Sequence, residues 1–459
     1  MSDPDKTVAV IGAGPVGLAA AAHALERGLR PIVLEGGACA GHAVRQWAHV
    51  RMFSPWGYNI DKAAERLLRE AGWNEPDPER YPTGGELAEQ YLEPLAARTA
   101  LGPHIRTHVR VISVVRAGLD KVKTAGRDKA PFEIRYVNGA GAESVRADAV
   151  IDASGTWFQP NPAGANGVEA IGEADNAARI AYGMPDVLGG ARQRYAGRTV
   201  AVLGSGHSAI GTVIDLKRLQ EDAPETQVVW LLRGDNPEKA FGGGAADQLA
   251  ARGELGLAFA GIVRSGGVRV EPGFRLTHVS EAGGRLRLGA GPACCGRHVL
   301  ADELIVATGF RPDLSFLREM RIELDPALEC PRLLAPLIDP NLHSCGTVRP
   351  HGARELAQPQ PGLYLAGMKS YGRAPTFLMK TGYEQVRSIV AAIAGDRAAA
   401  ERVELVLPET GVCGGAALGS GSATASACCG GPAPTDPSAC CKADEEAKAV
   451  GNAGCGCSS

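Results

Sequence analysis

Thr7-Val8-Ala9-Val10-Ile11-Gly12-Ala13-Gly14-Pro15-Val16-Gly17 is the stretch on which the fold turns. Its first five residues are β-branched or small and apolar, which predicts a buried strand. The three glycines at spacing two and three predict a turn that opens an alanine-rich helix, running to about Arg27. Pro31–Leu34 then reads as a second strand and ends on Glu35. Strand, glycine turn, helix, strand and acid follow one another at the spacing of a dinucleotide-binding βαβ unit. Gly12 permits the tight turn, Gly14 lets the backbone approach a pyrophosphate, and Gly17 lets the helix lie close to its strand. The helix N-terminus favours the phosphate charge, and a carboxylate at Glu35 would accept from ribose hydroxyls.

The pattern recurs. Thr199–Leu203 reads as a strand leading into Gly204-Ser205-Gly206-His207-Ser208-Ala209, then a helix to about Leu219 and a strand Gln227–Leu232. Ala209 takes the third glycine position, a replacement this unit accepts. The acid is missing, and Arg233 stands in its place. A guanidinium there suits a 2′-phosphate and favours NADPH over NADH.

Each unit has a later strand that enters a small-residue turn, Ala149–Asp152 into Ala153-Ser154-Gly155 and Glu303–Val306 into Ala307-Thr308-Gly309. Gly362–Leu365 enters Ala366-Gly367, with helical periodicity over Thr381–Ile393. The expected fold is α/β, with two Rossmann-like dinucleotide-binding domains. The first is discontinuous, 1–165 plus 301–405, and the second is inserted at 166–300. From 406 to 459 Gly, Ala, Ser, Pro and Cys dominate and no period survives, which predicts a disordered, Cys-rich tail.

Composition narrows the function classes. The chain has 459 residues with 45% hydrophobic and 22% charged, which suits ordinary globular domains. Its 48 basic against 51 acidic residues leave a formal charge of −3, so neither nucleic acid nor a membrane surface is an expected partner. The early apolar run is broken by glycines and too short to cross a bilayer, so a cytoplasmic protein is expected.

The two glycine motifs, the two Ala-Ser/Thr-Gly turns and the late Leu363-Tyr364-Leu365-Ala366-Gly367 strand resemble the two-dinucleotide-domain flavoproteins: flavin-containing monooxygenases, thioredoxin reductases and disulfide reductases. That resemblance spans about residues 5 to 400. It implies FAD on the Gly12 unit and NADPH on the Gly204 unit, and hydride transfer from nicotinamide to flavin. Disulfide reductases need a redox pair such as Cys-x-x-Cys near the flavin, and none follows either motif. Trp157–Pro162 and Tyr81-Pro82-Thr83-Gly84-Gly85-Glu86-Leu87 look like flavin-monooxygenase segments. The Phe-x-Gly-x3-His fingerprint of that family is absent, with Ile171-Gly172-Glu173 near where it would begin. Gly367-Met368-Lys369-Ser370 also departs from the Gly-Asp that binds the ribityl chain in many relatives, which leaves backbone or Ser370 to do so.

Trp47-Ala48-His49-Val50-Arg51-Met52-Phe53-Ser54-Pro55-Trp56, Lys369–Leu378 and the Cys-Cys tail are similar to flavoprotein monooxygenases of bacterial arsenic-resistance gene clusters. Both segments should then line the flavin, which makes His49, Arg51, Tyr371 and Arg373 candidates for flavin or substrate contact. Ser154, Gly155, Thr308, Gly309, Gly367 and Ser370 join the glycine motifs as candidate cofactor residues.

The 12 cysteines supply the last candidates. Cys330 and Cys345 flank a proline-rich loop and could together hold a soft thiol-seeking centre. Cys428-Cys429, Cys440-Cys441 and Cys455-x-Cys457 suit capture of arsenite, an organoarsenical or a soft metal, although their spacing is not that of a zinc ribbon. The expected activity is transfer of oxygen to a soft nucleophilic small molecule, a trivalent arsenical among them. A thioredoxin-reductase-like enzyme working through thiols and a metalloid-binding protein on a flavoprotein scaffold remain open, as does assembly into a homodimer.

Overall fold

A computed structural model describes residues 6–242, 244, 247, 249–292, 296–342, 351–375 and 377–405. The strands, in chain order, are β1 (Thr7–Ile11), β2 (Arg30–Leu34), β3 (Ile105–Arg106), β4 (Arg110–Arg116), β5 (Phe132–Asn138), β6 (Gly141–Ala147), β7 (Ala149–Asp152) and β8 (Ile180–Tyr182). They continue as β9 (Thr199–Leu203), β10 (Gln227–Leu231), β11 (Arg269–Glu271), β12 (Leu276–Ala282), β13 (Arg285–Ala290), β14 (Arg297–Ala301), β15 (Glu303–Val306) and β16 (Leu363–Leu365).

Two five-stranded sheets organise them, in the orders β16-β7-β1-β2-β3 and β11-β10-β9-β15-β8. Every neighbouring pair in both is parallel. Parallel strands are covered on both faces, which is why β1 and β9 read as continuous apolar runs and not as alternations. In the first unit the helices Pro15–Glu26 and Met379–Ile393 join Val8, Val10 and Ile151 in one core. On the opposite face Ala9, Ile11 and Val150 meet Val114, Phe132 and Ile134 of the antiparallel sheet β4-β5-β6. The second unit repeats the plan. Helices His207–Asp222 and Ala250–Arg264 pack on Val200, Val202 and Trp230. The antiparallel sheet β12-β13-β14 covers Ala201, Leu203 and Val229.

The expected boundary at 301 is corrected by β15. Glu303–Val306 pairs with β9 and β8, so the second unit runs through Val306 and the return to the first begins after it. Two linkers cross between the units and are tied to each other. Asn161 N–H donates to the Gly309 carbonyl at 2.9 Å, Asn161 Nδ2 donates to the Thr308 carbonyl at 3.0 Å, and Arg311 Nε donates to Asn161 Oδ1 at 3.0 Å. Among the described residues no helix is long and apolar enough to cross a membrane. The tail expected to be disordered, 406–459, lies outside the described residues.

Candidate active site

The first glycine turn closes the carboxyl end of β1. Gly12 has φ +98°, and a Cβ there would stand 2.8 Å from the Ala153 carbonyl oxygen and 2.9 Å from Ser154 Cα. A Cβ on Gly17 would stand 2.0 Å from the Gly12 carbonyl, so the helix needs glycine to reach the turn. Around Gly14 the position of a Cβ is open. Helix Pro15–Glu26 begins there with Pro at its start, no side-chain cap and no acid in its first turn. An open backbone at an uncapped helix N-terminus fits a pyrophosphate. The Glu35 carboxylate is already engaged, accepting from Ala13 N–H and Gly37 N–H, each at 2.7 Å. It thus braces the turn and keeps lone pairs for a ribose.

The second turn follows the same physics. Gly204 has φ +137°, and a Cβ would meet the Ala307 carbonyl oxygen at 2.3 Å, while the position at Gly206 is open. Ala209 is fully buried where Gly17 stands in the first unit. Trp230 Nε1 donates to the Gly204 carbonyl at 2.7 Å and pins the turn from below. Arg233 lies two residues beyond β10, exposed, with one long contact to the Ala165 carbonyl at 3.4 Å. Its guanidinium is thus available to a ligand phosphate.

The two segments flagged between the motifs come together. Met52 N–H donates to the Pro82 carbonyl at 2.8 Å, and Gly84 N–H and Gly85 N–H donate to the Val50 and Ala48 carbonyls at 2.9 Å. Thr83 and Glu86 form a capping box that starts the following helix. Arg51 donates to the Tyr81 carbonyl at 2.8 Å, so the guanidinium serves this pairing. His49 Nε2 is buried without a hydrogen-bond partner. The segment also reaches the second unit, where the Phe53 ring lies 5.4 Å from that of His207 in the second glycine motif. Burial and the nearby Arg252 charge push the His207 imidazole below its usual range, so it meets Phe53 as a neutral ring. Phe53 and His207 went unnoticed in the sequence, because a contact between units leaves no local pattern.

The segment after β16 departs from expectation. Ser370 is fully buried, donating to the Gly367 carbonyl at 2.8 Å and accepting from Gln385 Nε2 at 3.0 Å. Gln385 Oε1 in turn accepts from Gly367 N–H at 2.7 Å. Ser370 therefore braces the turn from inside and does not face the cradle. Tyr371 is 2% exposed, packed 5.1 Å from Phe377 and 5.7 Å from His351, and burial pushes its hydroxyl well above the usual phenol range. Its ring thus packs in the core of the first unit. Arg373 pairs with Glu329 at 2.9 Å and holds a loop. Thr308 and Gly309 are occupied in the crossing of the linkers.

Two residues that carried no role in the sequence reading stand out. Lys369 and Asp152, 1% and 0% exposed at the side chain, form an ion pair at 3.2 Å at the ends of β16 and β7. Lys369 Nζ also donates to Ser154 Oγ at 2.8 Å, and Ser154 N–H and Oγ donate to Asp152 Oδ1 at 3.1 and 2.7 Å. An acid ending a buried strand and a lysine just past the Gly367 turn were the available signals.

Cys330 does not suit the thiol role expected of it. It is fully buried, and desolvation together with Asp325 pushes its thiol up to about 12, which keeps it protonated. Cys345, Cys428, Cys429, Cys440, Cys441, Cys455 and Cys457 lie outside the described residues. Among the described residues no group of three or more His, Cys, Asp or Glu could hold a metal ion.

A family model described as pyridine nucleotide-disulphide oxidoreductase matches residues 9–332. Among solved structures, the bacillithiol disulfide reductase Bdr (YpdA) from Bacillus cereus is similar with a TM-score of 0.61 and 20% identity, over 85% of this chain and 99% of its own. The FAD-bound cadaverine monooxygenase of desferrioxamine biosynthesis from Erwinia amylovora gives 0.60 and 13%, over 88% and 98%. A flavin-containing monooxygenase from Stenotrophomonas maltophilia gives 0.51 and 21%, over 85% and 99%. At such identities these likenesses speak for the fold. No curated protein sequence matches the chain.

Proposed function

The chain belongs to the pyridine nucleotide-disulphide oxidoreductase family, and from that premise we propose that it is an NADPH-dependent FAD monooxygenase acting on a soft nucleophilic small molecule. FAD occupies the Gly12 unit and NADPH the Gly204 unit. Bound FAD supplies the chemistry, accepting a hydride from the nicotinamide and passing the electrons to oxygen. The chain's residues do the rest. The two glycine turns and their helix N-termini hold the pyrophosphates, Glu35 orients a ribose, and Arg233 pairs with the 2′-phosphate. Phe53 and His207 close the space between the two units to water.

One observation carries the choice of oxygen over a disulfide as acceptor. The two described cysteines of the first unit, Cys39 and Cys330, are both free, and Cys330 is buried and protonated. No Cys-x-x-Cys occurs anywhere in the chain. Electrons leaving a flavin held here therefore meet no described dithiol, and a small diffusible acceptor fits better. A trivalent arsenical fits the soft-nucleophile class, supported by the sequence resemblance and by the thiol pairs of the tail. The balanced reaction consumes NADPH, a proton, O₂ and the substrate, and yields NADP⁺, water and the oxygenated substrate.

The test incubates the purified yellow protein with NADPH, oxygen and phenylarsonous acid or a thioether. Equal consumption of NADPH and oxygen with stoichiometric oxygenated product supports the reading. Oxygen consumption ending wholly in hydrogen peroxide, together with NADPH-driven reduction of a disulfide that disappears on truncation after Glu409, would replace it with a thiol relay. Gly14→Val tests the placing of FAD, because its side chain would fill the open space at the turn. Protein that stays yellow refutes it.

A further inference from the structure

Among the described residues the Lys369–Asp152 pair is the one buried charge pair at the cradle, and the proposed reaction makes no use of it. Lys369 stands in the turn that follows β16, four residues past Leu365, and Asp152 closes the neighbouring strand β7. Both side chains are shielded from solvent, so their reach to a cofactor runs through Ser154. Ser154, which both of them bond, is exposed. Its Cα is the atom that a Cβ on Gly12 would strike at 2.9 Å, and beside Gly155, with φ +68°, the position of a Cβ is open. The Ser154–Gly155 turn is thus a wall of the space over the glycine turn. Its only side chain is fastened from below by one ammonium and one carboxylate. Lys369 Nζ also lies 4.8 Å from the centroid of the Phe316 ring, in the segment returning from the second unit. A single buried ammonium therefore ties together β7, β16, the wall of the cradle and the returning chain.

We propose that Lys369 is a positioning residue for the flavin nucleotide, holding the Ser154–Gly155 wall against the Gly12 turn through Asp152 and Ser154. The proposal rests on the Gly12 unit being the flavin site, and Gly14→Val tests that separately. A buried ion pair is poor evidence of a gain in stability, since a well-packed apolar pair often does as well. It is retained here because an apolar pair could not hold the Ser154 hydroxyl. Asp152 alone can still orient Ser154 through Oδ1. The lysine supplies the second tether, and a hydrogen bond from a charged donor is the stronger kind.

The measurement is the rate of FAD release from diluted holoprotein, read as the rise in flavin fluorescence, beside the thermal midpoint of the same samples. Lys369→Met leaves Asp152 buried and uncompensated, so it should lower both stability and flavin retention. On its own it does not separate scaffold from positioning. Lys369→Met combined with Asp152→Asn removes the lone charge while keeping an acceptor for Ser154. This variant should recover most of the thermal midpoint yet release FAD about tenfold faster than wild type. Ser154→Ala keeps the ion pair and should show the same faster release with little thermal change. Wild-type release from both the double variant and Ser154→Ala overturns the proposal and leaves Lys369 as scaffold alone.

Discussion

The two nucleotide units share a strand plan and differ in how finished their binding surfaces are. In the first unit Glu35, just past the second strand, is locked by two backbone donors, Ala13 of the glycine turn and its own neighbour Gly37. In the second, Arg233, one position beyond the register equivalent of Glu35, is exposed and nearly unattached. The first unit also has a wall tied from beneath by Lys369 and Asp152. A surface ordered before its ligand arrives loses less entropy on binding and holds that ligand longer. A loose guanidinium must be ordered anew at each encounter. The contrast matches a resident cofactor in one unit and an exchanging one in the other, which is the division of labour the proposed reaction needs.

The largest effects should come from breaking each turn separately. Gly12→Ala forces a left-handed backbone on alanine and drives its Cβ against the Ala153 carbonyl, so the protein should be colourless and unstable. Gly204→Ala is tighter still, 2.3 Å from the Ala307 carbonyl, yet it should leave the protein yellow and abolish flavin reduction by NADPH. Colour and reduction lost together in Gly204→Ala would mean that the two surfaces are not independent.

Each unit also contains a buried pair of a different kind. Arg252 and Asp247, 4% and 3% exposed at the side chain, join at 2.7 and 2.8 Å at the start of the helix Ala250–Arg264. Arg252→Met strands the carboxylate and should cost about 3–5 kcal/mol of stability. A thermal midpoint within a degree or two of wild type would show that the pair is relaxed by water or by a change of protonation. Because this pair neighbours His207, nicotinamide-nucleotide binding should weaken more than flavin binding, the reverse of what Lys369→Met does.

The next effect is smaller and more selective. Arg233→Ala removes a charge-assisted contact of about 1.5–3 kcal/mol, so the KM for NADPH should rise roughly ten- to a hundredfold with the KM for NADH unchanged. Equal losses with both nucleotides would remove the 2′-phosphate assignment, and with it half of the contrast between the units.

What the sequence revealed and what it hid follow from the range of the interactions. The glycine turns were legible because a left-handed φ and a close backbone approach can be met only by glycine at fixed positions. Glu35 directly follows β2 as the spacing suggested, whereas Arg233 lies two residues past β10, one further than its strand boundary in the sequence implied. The boundary at 301 misled because only Asp302 separates β14 from β15, so an antiparallel strand runs into a parallel one with no turn residues between. The burial of Tyr371 and Ser370 was not legible, because the chain after β16 folds back beneath the helix Met379–Ile393 and turns this segment inward. Lys369 and Asp152 meet across more than 200 positions, and no local pattern announces such a pair.

The smallest predicted effect concerns acid. His23, on the helix of the first glycine turn, meets Asp61 at 3.1 Å, both nearly buried. Burial pushes the Asp61 carboxyl up, but the His23 charge and hydrogen bond and the backbone N–H groups of Ala64 and Ala63 outweigh it and hold the group below its usual range. A carboxyl lowered on folding contributes stability that is fully present above its unfolded value, about 3.9, and is lost as pH falls through the native one. As pH falls below about 4 the wild-type thermal midpoint should therefore drop more steeply than that of Asp61→Asn, and the two curves should approach each other once the native carboxyl has taken up its proton. Parallel curves for wild type and Asp61→Asn would show that the His23–Asp61 pair has no net preference for the charged carboxylate.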